Sequence, residues 1–346
     1  MVNPNSTTGG PYARACGPFS FSGASAARTL SRRSRYRAEC YALATVSEPG
    51  IYVEIFIASS IDEIWHRTQD PGLHELWDLR FTSINYLPKQ TEDEPQRFRY
   101  STRIGFGLKI EGEGESTGTR ENATGLRTSA LKFWSTDPKS LIEEGAGYWK
   151  YIPTANGVRF LTWYDYRVRF GMAGRLIDRF MFRPLIGWAT AWSFDRLRRW
   201  IERGIAPQLS MRMAVIHAVA RFGIAFIWFW QGLVPKLLFA NADEKAMMAA
   251  VGMSPSLVPA AGILEIFLGL ATLLLWRWRP FFLVNVAAMF AALIVVAQHS
   301  PAYLTAAFNP VTLNLGMILL SVIGYIASVD LPSASRCLRS PAKGSA

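Results

Sequence analysis

Residues 213–238 read MAVIHAVARFGIAFIWFWQGLVPKLL, a run with two basic residues, one histidine and no acid. An α-helix rises 1.5 Å per residue and a bilayer core is about 30 Å thick, so about 20 apolar residues suffice to cross it. Three more such stretches follow, Val258–Trp276, Phe281–Val296 and Thr312–Val329. Buried helices of water-soluble proteins rarely come in such a series. The last third of the chain therefore reads as a four-helix membrane module. Residues before Leu209 alternate in polarity and carry charge, which is the pattern of a water-soluble domain.

The 346 residues leave room for two domains and a tail. The net charge of +11 is concentrated in the N-terminal segment and just before the first apolar stretch. Arginines flanking a span hold it at an anionic leaflet, so this distribution argues against nucleic acid as a partner. Cys16, Cys40 and Cys337 fall in the two tails without a Cys-x-x-Cys pattern, and His66, His74, His217 and His299 are scattered. Neither a disulfide framework nor a metal site is expected. Residues 1–48 are rich in Ser, Gly and Arg, with Glu39 and Glu48 their only acids. That composition fits a targeting segment or a disordered extension, and it lacks the apolar core of a secretory signal.

Regular structure begins at Gly50. Ile51–Ile57 is a strand candidate, followed by short helical pieces at Ile61–Thr68 and Gly72–Leu76, divided by Pro71. In Arg97–Phe106 the residues Phe98, Tyr100, Thr102, Ile104 and Phe106 share a face opposite Arg97, Arg99 and Arg103. Leu108–Glu115 and Val158–Phe170 alternate in the same way. Such alternation marks antiparallel strands with one wet and one buried face. After Gly171 the period becomes helical, and Gly174–Arg203 places Ile177, Met181, Leu185, Trp188 and Trp192 along one stripe, interrupted at Pro184. By parity Gly112 and Gly114 fall on the inner face, where they remove side-chain volume, and Tyr100, Tyr164 and Tyr166 point the same way. These aromatics either line a cavity or pack the core.

The order of strand, two short helices, antiparallel meander and long helix resembles the helix-grip fold of the START-like superfamily, also called SRPBCC or the polyketide cyclase–dehydrase group. The likeness rests on Tyr52–Ile57, on Leu73-His74-Glu75-Leu76-Trp77-Asp78 and on Phe133–Tyr166, and covers residues 51–204. It implies an α+β domain whose curved antiparallel sheet and long C-terminal helix enclose an apolar cavity for lipids, sterols or polyketides. Tyr100, Gly112, Gly114, Tyr164, Tyr166, Trp188 and Trp192 are its candidate lining residues. Polyketide cyclases of this fold use pocket acids and tyrosines, for which Glu54, His74 and Asp78 are counterparts here. No nucleophile–base relay is readable in their spacing, and His74 is expected at a surface helix end or as a cap on the following loop.

Charge also orients the spans. Arg198, Arg199, Arg203 and Arg212 precede the first, Arg277 and Arg279 sit between the second and third, and Arg336, Arg339 and Lys343 follow the fourth. The positive-inside rule then puts both ends and the soluble domain in the cytoplasm, at the inner (plasma) membrane. Within the spans, Arg221 lies about 12 Å along its helix from Met213 and Glu265 lies near the far end of the next. A buried Arg221–Glu265 pair is expected, with His217 one turn from Arg221 and Asn314 as a further polar group. Such groups hold a bundle together or form a quinone or proton site.

The stretches Trp230-Gln231-Gly232-Leu233-Val234-Pro235-Lys236-Leu237-Leu238 and Phe308-Asn309-Pro310-Val311-Thr312-Leu313-Asn314, together with Glu265, resemble the DoxX-like family of small bacterial membrane proteins over residues 211–330. Some relatives in that group are subunits of quinone-linked sulfur oxidation. The cysteines that accompany redox chemistry in some of them are absent from this region. The expected architecture is a tail (1–48), a START-like α+β helix-grip domain (50–204), an all-α four-span transmembrane bundle (211–330) and a disordered tail (331–346). The expected function is a membrane-anchored, non-enzymatic binder of a hydrophobic small molecule, lipid or quinone-like, with no cofactor of its own. The alternative is a quinone-linked oxidoreductase subunit. Membrane lipid is the expected partner, and a membrane protein a further one.

Overall fold

The computed structural model describes residues 50–105, 107–307 and 309–341. The expectations for residues 1–48, Phe106 and Phe308 lie outside the described residues. The chain divides into two compact units, one holding residues 50–202 with 334–341, the other 203–333.

The first unit is a seven-stranded antiparallel sheet in the order β1-β7-β6-β5-β4-β3-β2. Its strands are β1 (Ile51–Ile57), β2 (Ser83–Tyr86), β3 (Arg97–Gly105), β4 (Leu108–Glu121), β5 (Arg127–Trp134), β6 (Ile142–Thr154) and β7 (Gly157–Val168). Between β1 and β2 run α1 (Ile61–Gln69) and α2 (Pro71–Trp77). Ser60 accepts from the Glu63 amide at 3.2 Å, and Asp70 accepts from the Leu73 amide at 2.9 Å with Pro71 at the first helical position. Side-chain caps of this kind satisfy donors that a helix start leaves open.

After β7 the chain turns sharply through Phe170 and Gly171, both left-handed at φ 66° and 54°. It enters α3 (Gly171–Ile177), a π turn over Asp178–Phe182, and α4 (Arg183–Arg203). Pro184 does not divide this helix. The wider turn just before it, closed by the Arg183 amide on the Asp178 carbonyl, absorbs the missing donor. The core lies between α4 and β1, β6 and β7, where Phe160 stacks on Phe194 at 4.5 Å and Trp77 meets Phe194 at 6.1 Å.

The end of the chain departs from the disordered tail expected for 331–346. Leu338 exchanges backbone hydrogen bonds of 3.0 and 2.9 Å with Glu54 on β1, Arg336 pairs with Asp195 at 2.7 Å, and Cys337 is buried. An open sheet edge presents unpaired amides and carbonyls, and this return covers one of them. Period and charge along residues 331–341 could not show it, because a single bridge has no repeat to read.

The second unit contains four helices long and apolar enough to cross a membrane: Pro207–Leu238, Pro255–Leu274, Pro280–His299 and Pro310–Ala327. Its α-helices are α5 (Pro207–Gln231), α6 (Ala242–Ala250), α7 (Val258–Leu274), α8 (Pro280–His299) and α9 (Pro310–Ala327). Pro207, Pro280 and Pro310 open their helices, where a missing N–H removes nothing. The short α6, on the loop between the first two spans, was not anticipated. Ile224, Trp228, Phe282, Met289, Met317 and Ile318 form the apolar centre of this unit.

Candidate functional site

Paired residues of adjacent strands face the same side of a sheet. The register therefore sets Tyr100 beside Gly112, Phe98 beside Gly114, Gly114 beside Phe133, Phe133 beside Gly145 and Gly147 beside Tyr164. Glycine and aromatic residues alternate across the inner wall. A Cβ on Gly112 would collide with the Tyr100 ring, one on Gly114 with Phe98, and one on Gly145 with Phe133. Each ring is thus folded down onto the glycine of the next strand. Phe98, Tyr100 and Phe133 remain half-buried, Phe133 packed against the apolar core. Burial pushes the Tyr100 phenol up to about 12, which keeps it protonated and able to donate.

Beside this wall sits a charged cluster. Asp78 is fully buried, accepts from Arg80 Nε and Nη2 at 2.9 and 2.6 Å, and lies 3.0 Å from His74 Nε2. Burial acts to raise the Asp78 carboxyl, but the Arg80 charge and the hydrogen bonds from His74 and Arg80 outweigh it and hold the group well below the carboxylate range. Because Asp78 is a carboxylate, Nε2 of His74 carries the proton. The imidazole stacks on Trp77 and meets Phe81 and Trp149 edge-on at 5.2 and 4.9 Å. Phe81 in turn meets Tyr100 at 5.5 Å, which joins the cluster to the aromatic wall.

His74 thus lies in the last turn of its helix and bonds Asp78 at the start of the following loop, as expected of a cap, but its side chain is largely shielded and not on the surface. The helix α2 ends at Trp77, and the i, i+4 spacing turns His74 and Asp78 to one side. Arg80, which completes the cluster, was not singled out from the sequence, although Asp-x-Arg next to a histidine one turn back is a legible pattern. Glu54 lies on the opposite face of the sheet, where it accepts from Arg159 Nε at 2.7 Å and from the Tyr52 hydroxyl. The strand's alternation excludes it from the inner wall.

The expected cavity residues divide. Tyr100, Gly112 and Gly114 belong to the wall as described. Tyr164 bonds Thr190 on α4 at 2.8 Å and Tyr166 donates to Asp178 in the π turn at 2.7 Å, so these two tie the helical segment to the sheet. Trp192 is buried, while Trp188, one turn before it with its ring 6.4 Å away, is exposed. Two hollows resolved elsewhere are rim features. One of about 250 Å³ is bounded by Gly50–Tyr52, Arg179, Arg183, Pro184 and Arg339, the other of about 420 Å³ by Arg103 and Gly107–Lys109.

The membrane unit corrects the expected Arg221–Glu265 pair. Arg221, wholly buried, donates to the Thr272 carbonyl at 2.7 Å, the Trp278 carbonyl at 3.2 Å and His217 Nε2 at 3.3 Å, with the Phe282 ring 4.4 Å from its guanidinium carbon. It caps the C-terminal end of α7, whose last carbonyls lack helical partners and carry the negative end of the helix dipole. Glu265 instead meets Lys236 at 3.1 Å, and Lys236 also pairs with Glu244 at 3.0 Å. Backbone contact permits this, since a Cβ on Gly262 would fall 2.6 Å from the Gly232 carbonyl. Asn285 accepts from Trp228 at 2.6 Å, and Asn314 is buried on α9. Asn309 caps α9 on the Thr312 amide at 3.0 Å, so both sequence signatures mark helix ends rather than one shared pocket. Among the described residues no group of three or more His, Cys, Asp and Glu side chains could hold a metal ion.

Geometry and composition define an α+β domain of helix-grip form, a seven-stranded antiparallel sheet with a long helix after it, in a chain that also carries four helices apolar enough to span a membrane, and a model described as the DoxX-like family matches residues 225–322. The chain belongs to the family of the uncharacterized membrane protein YndG of Bacillus subtilis (strain 168), with which it is 50% identical over 183 residues, 53% of this chain and 68% of that protein. Among solved structures it is similar to a STAR-related lipid transfer protein from Xanthomonas axonopodis at 15% identity, covering 44% of this chain and 85% of that one with a TM-score of 0.35. It is also similar to human StAR-related lipid transfer protein 5 at 12% identity, covering 51% and 97% with a TM-score of 0.37. Zhui aromatase/cyclase from Streptomcyes sp. R1128 matches at 12% identity, covering 45% and 98% with a TM-score of 0.34.

Proposed function

We propose that the helix-grip domain holds a hydrophobic molecule, a lipid or a quinone-like compound, against its aromatic inner wall, next to the membrane in which the bundle anchors it. One observation carries this reading. Phe98, Tyr100 and Phe133 lie over the glycines of the neighbouring strands and stay half-buried, which supports an aromatic surface for an apolar ligand. Sites for such ligands are mostly apolar with a few convergent polar groups, and Tyr100 with the Arg80–Asp78–His74 cluster supplies those. Mass spectrometry of lipids retained by the detergent-extracted protein tests it. A specific lipid should be enriched over the detergent extract and lost in Gly145→Val, which lifts the Phe133 ring off the sheet. Equal lipid in both proteins would refute the reading.

The arginines around the spans support a cytoplasmic domain at the inner membrane. An even number of spans fits a chain whose residues 334–341 rejoin the first unit. A second reading, a subunit that works with quinone, draws on Lys236 and its two carboxylates at the end of the first span. Lys236 is the group there that would donate to a quinone carbonyl. Loss of a quinone-dependent activity in Glu265→Gln, with insertion and folding intact, would favour it.

A further inference from the structure

Asp78 has no bonding capacity left for a ligand. Its Oδ1 accepts from the Arg80 amide and Nε at 3.0 and 2.9 Å, and its Oδ2 lies 2.6 Å from Arg80 Nη2 and 3.0 Å from His74 Nε2. A carboxylate offers about four lone-pair sites, and these contacts take them all. The aspartate therefore acts on a ligand only through His74. With the proton held on Nε2, the one polar atom left on the imidazole is Nδ1, an acceptor. The ring is held in place by Trp77, Phe81 and Trp149, at 5.0, 5.2 and 4.9 Å.

A second open group lies across Phe81. The Tyr100 ring meets Phe81 edge-on at 5.5 Å, and its hydroxyl occupies the space that Gly112 leaves by having no Cβ. Burial keeps that phenol protonated, so it is a donor. Other hydroxyls of the domain's interior are matched within the protein, Tyr151 by Thr68 and Gln69 at 2.7 and 2.9 Å and Tyr164 by Thr190 at 2.8 Å. Among the described residues neither His74 Nδ1 nor the Tyr100 hydroxyl has a hydrogen-bond partner. Nor is either atom cut off from solvent. The buried polar atoms without a partner, among the described residues, are Ser210 Oγ, His217 Nδ1, Glu265 Oε2 and Ser321 Oγ, all in the membrane unit. One accessible acceptor and one accessible donor thus stand on either side of Phe81.

Resting on the reading that the wall holds an apolar ligand, we infer that the polar end of that ligand is an uncharged hydroxyl, as in a lipid alcohol or a quinol, which donates to His74 Nδ1 and accepts from Tyr100. An ester, an ether or a quinone offers acceptors alone and leaves His74 Nδ1 unmatched. A carboxylate or phosphate calls for a cation, and here Arg80 is matched to Asp78 while Arg196 meets the Trp77 carbonyl at 3.5 Å and the Trp192 ring at 5.5 Å. A site built to bond a hydroxyl rejects the analogue that lacks it, because the protein's own polar group is then left unpaired.

The test measures binding of radiolabelled farnesol and farnesyl methyl ether to the full chain in nanodiscs, with partition into empty discs subtracted. Farnesol should bind about tenfold more tightly, the scale of one acceptor left unpaired. His74→Phe keeps a ring among the same aromatic neighbours and should bring the two affinities within about twofold by weakening farnesol alone. Tyr100→Phe should weaken both ligands, since each offers an oxygen. Near-UV circular dichroism verifies that the variants stay folded, and the wild-type comparison needs no variant. Decylubiquinol against decylubiquinone separates the two sources: preference for the quinol assigns a quinol, and preference confined to the farnesol pair assigns a lipid alcohol. Equal affinities within both pairs would overturn the inference and leave an apolar ligand on the wall. Binding of none of the four would overturn that reading as well. Farnesoic acid bound more tightly than farnesol would assign the polar end to an anion and overturn the inference too.

Discussion

Asp78→Asn is the most exacting test of the site's electrostatics. The carboxylate is wholly buried and meets Arg80 through two hydrogen bonds of 2.9 and 2.6 Å, with His74 at 3.0 Å. Asparagine preserves the shape and removes the charge, leaving the Arg80 guanidinium buried without its counter-ion. Breaking one side of a buried pair costs about 3–5 kcal/mol, and a domain of this size loses about 2–4 °C per kcal/mol, so the unfolding midpoint should fall by roughly 6–20 °C. Near-UV circular dichroism of the detergent-solubilised full chain reads it. Adding Arg80→Met removes the stranded cation and should restore much of the loss, since apolar replacements of buried pairs are often neutral. The pH dependence has a definite sign. The folded carboxyl lies below its unfolded value, so its stabilisation is complete above about pH 5 and disappears as pH falls below about 4 toward the folded value. Wild type and Asp78→Asn should differ by a constant amount from pH 5 upward and converge in acid. A midpoint change under about 2 °C, the scale of an exposed ion pair, would refute the reasoning.

Further outcomes follow from the same geometry. A double-mutant cycle on Arg221 and Glu265 should give coupling within about 0.5 kcal/mol of zero, while Lys236 and Glu265 should couple by about 1 kcal/mol or more in unfolding of the bundle, because only the second pair is in contact. Cys337, whose thiol burial pushes up to about 12 with Asp195 adding to the shift, should resist maleimide at pH 8 until the domain unfolds, in a background lacking Cys16 and Cys40. Deleting residues 333–346 removes the Leu338–Glu54 bridge and the Arg336–Asp195 pair, and should destabilise the helix-grip domain by roughly 2–4 kcal/mol while the four spans still insert. Gly174→Ala drives a methyl into the Arg169 carbonyl and should lower domain stability by about 1–3 kcal/mol, seen as an earlier midpoint in the same thermal scan.

Strand parity alone sets faces, and the register puts Tyr100, Gly112 and Gly114 on one face as parity implies. Parity cannot tell lining from packing. Tyr164 and Tyr166 face inward as well, yet α4 covers them through Thr190 and Asp178, and only the position of that helix decides it. Strands β2, β5 and β6 were not singled out, since β2 has four residues and β6 carries Gly145 and Gly147 where an aromatic neighbour supplies the bulk. Trp188 and Trp192 do share one stripe, their rings 6.4 Å apart, yet the first is exposed and the second buried, a difference that spacing along the helix does not carry.

By itself the sequence determined what depends on local periodicity: four spans, an alternating sheet, a long helix after Gly171 and the charge that flanks the membrane. These follow from the repeat of side-chain polarity with the geometry of helix and strand. Tertiary structure alone decided which partners the ionisable groups take. Arg221 found carbonyls at the end of α7 instead of Glu265, Glu265 found Lys236, Asp78 found Arg80, and Leu338 found Glu54 across the whole length of the chain. Pairing of that kind turns on separations of a few ångströms between residues distant in sequence, and no one-dimensional spacing carries that information.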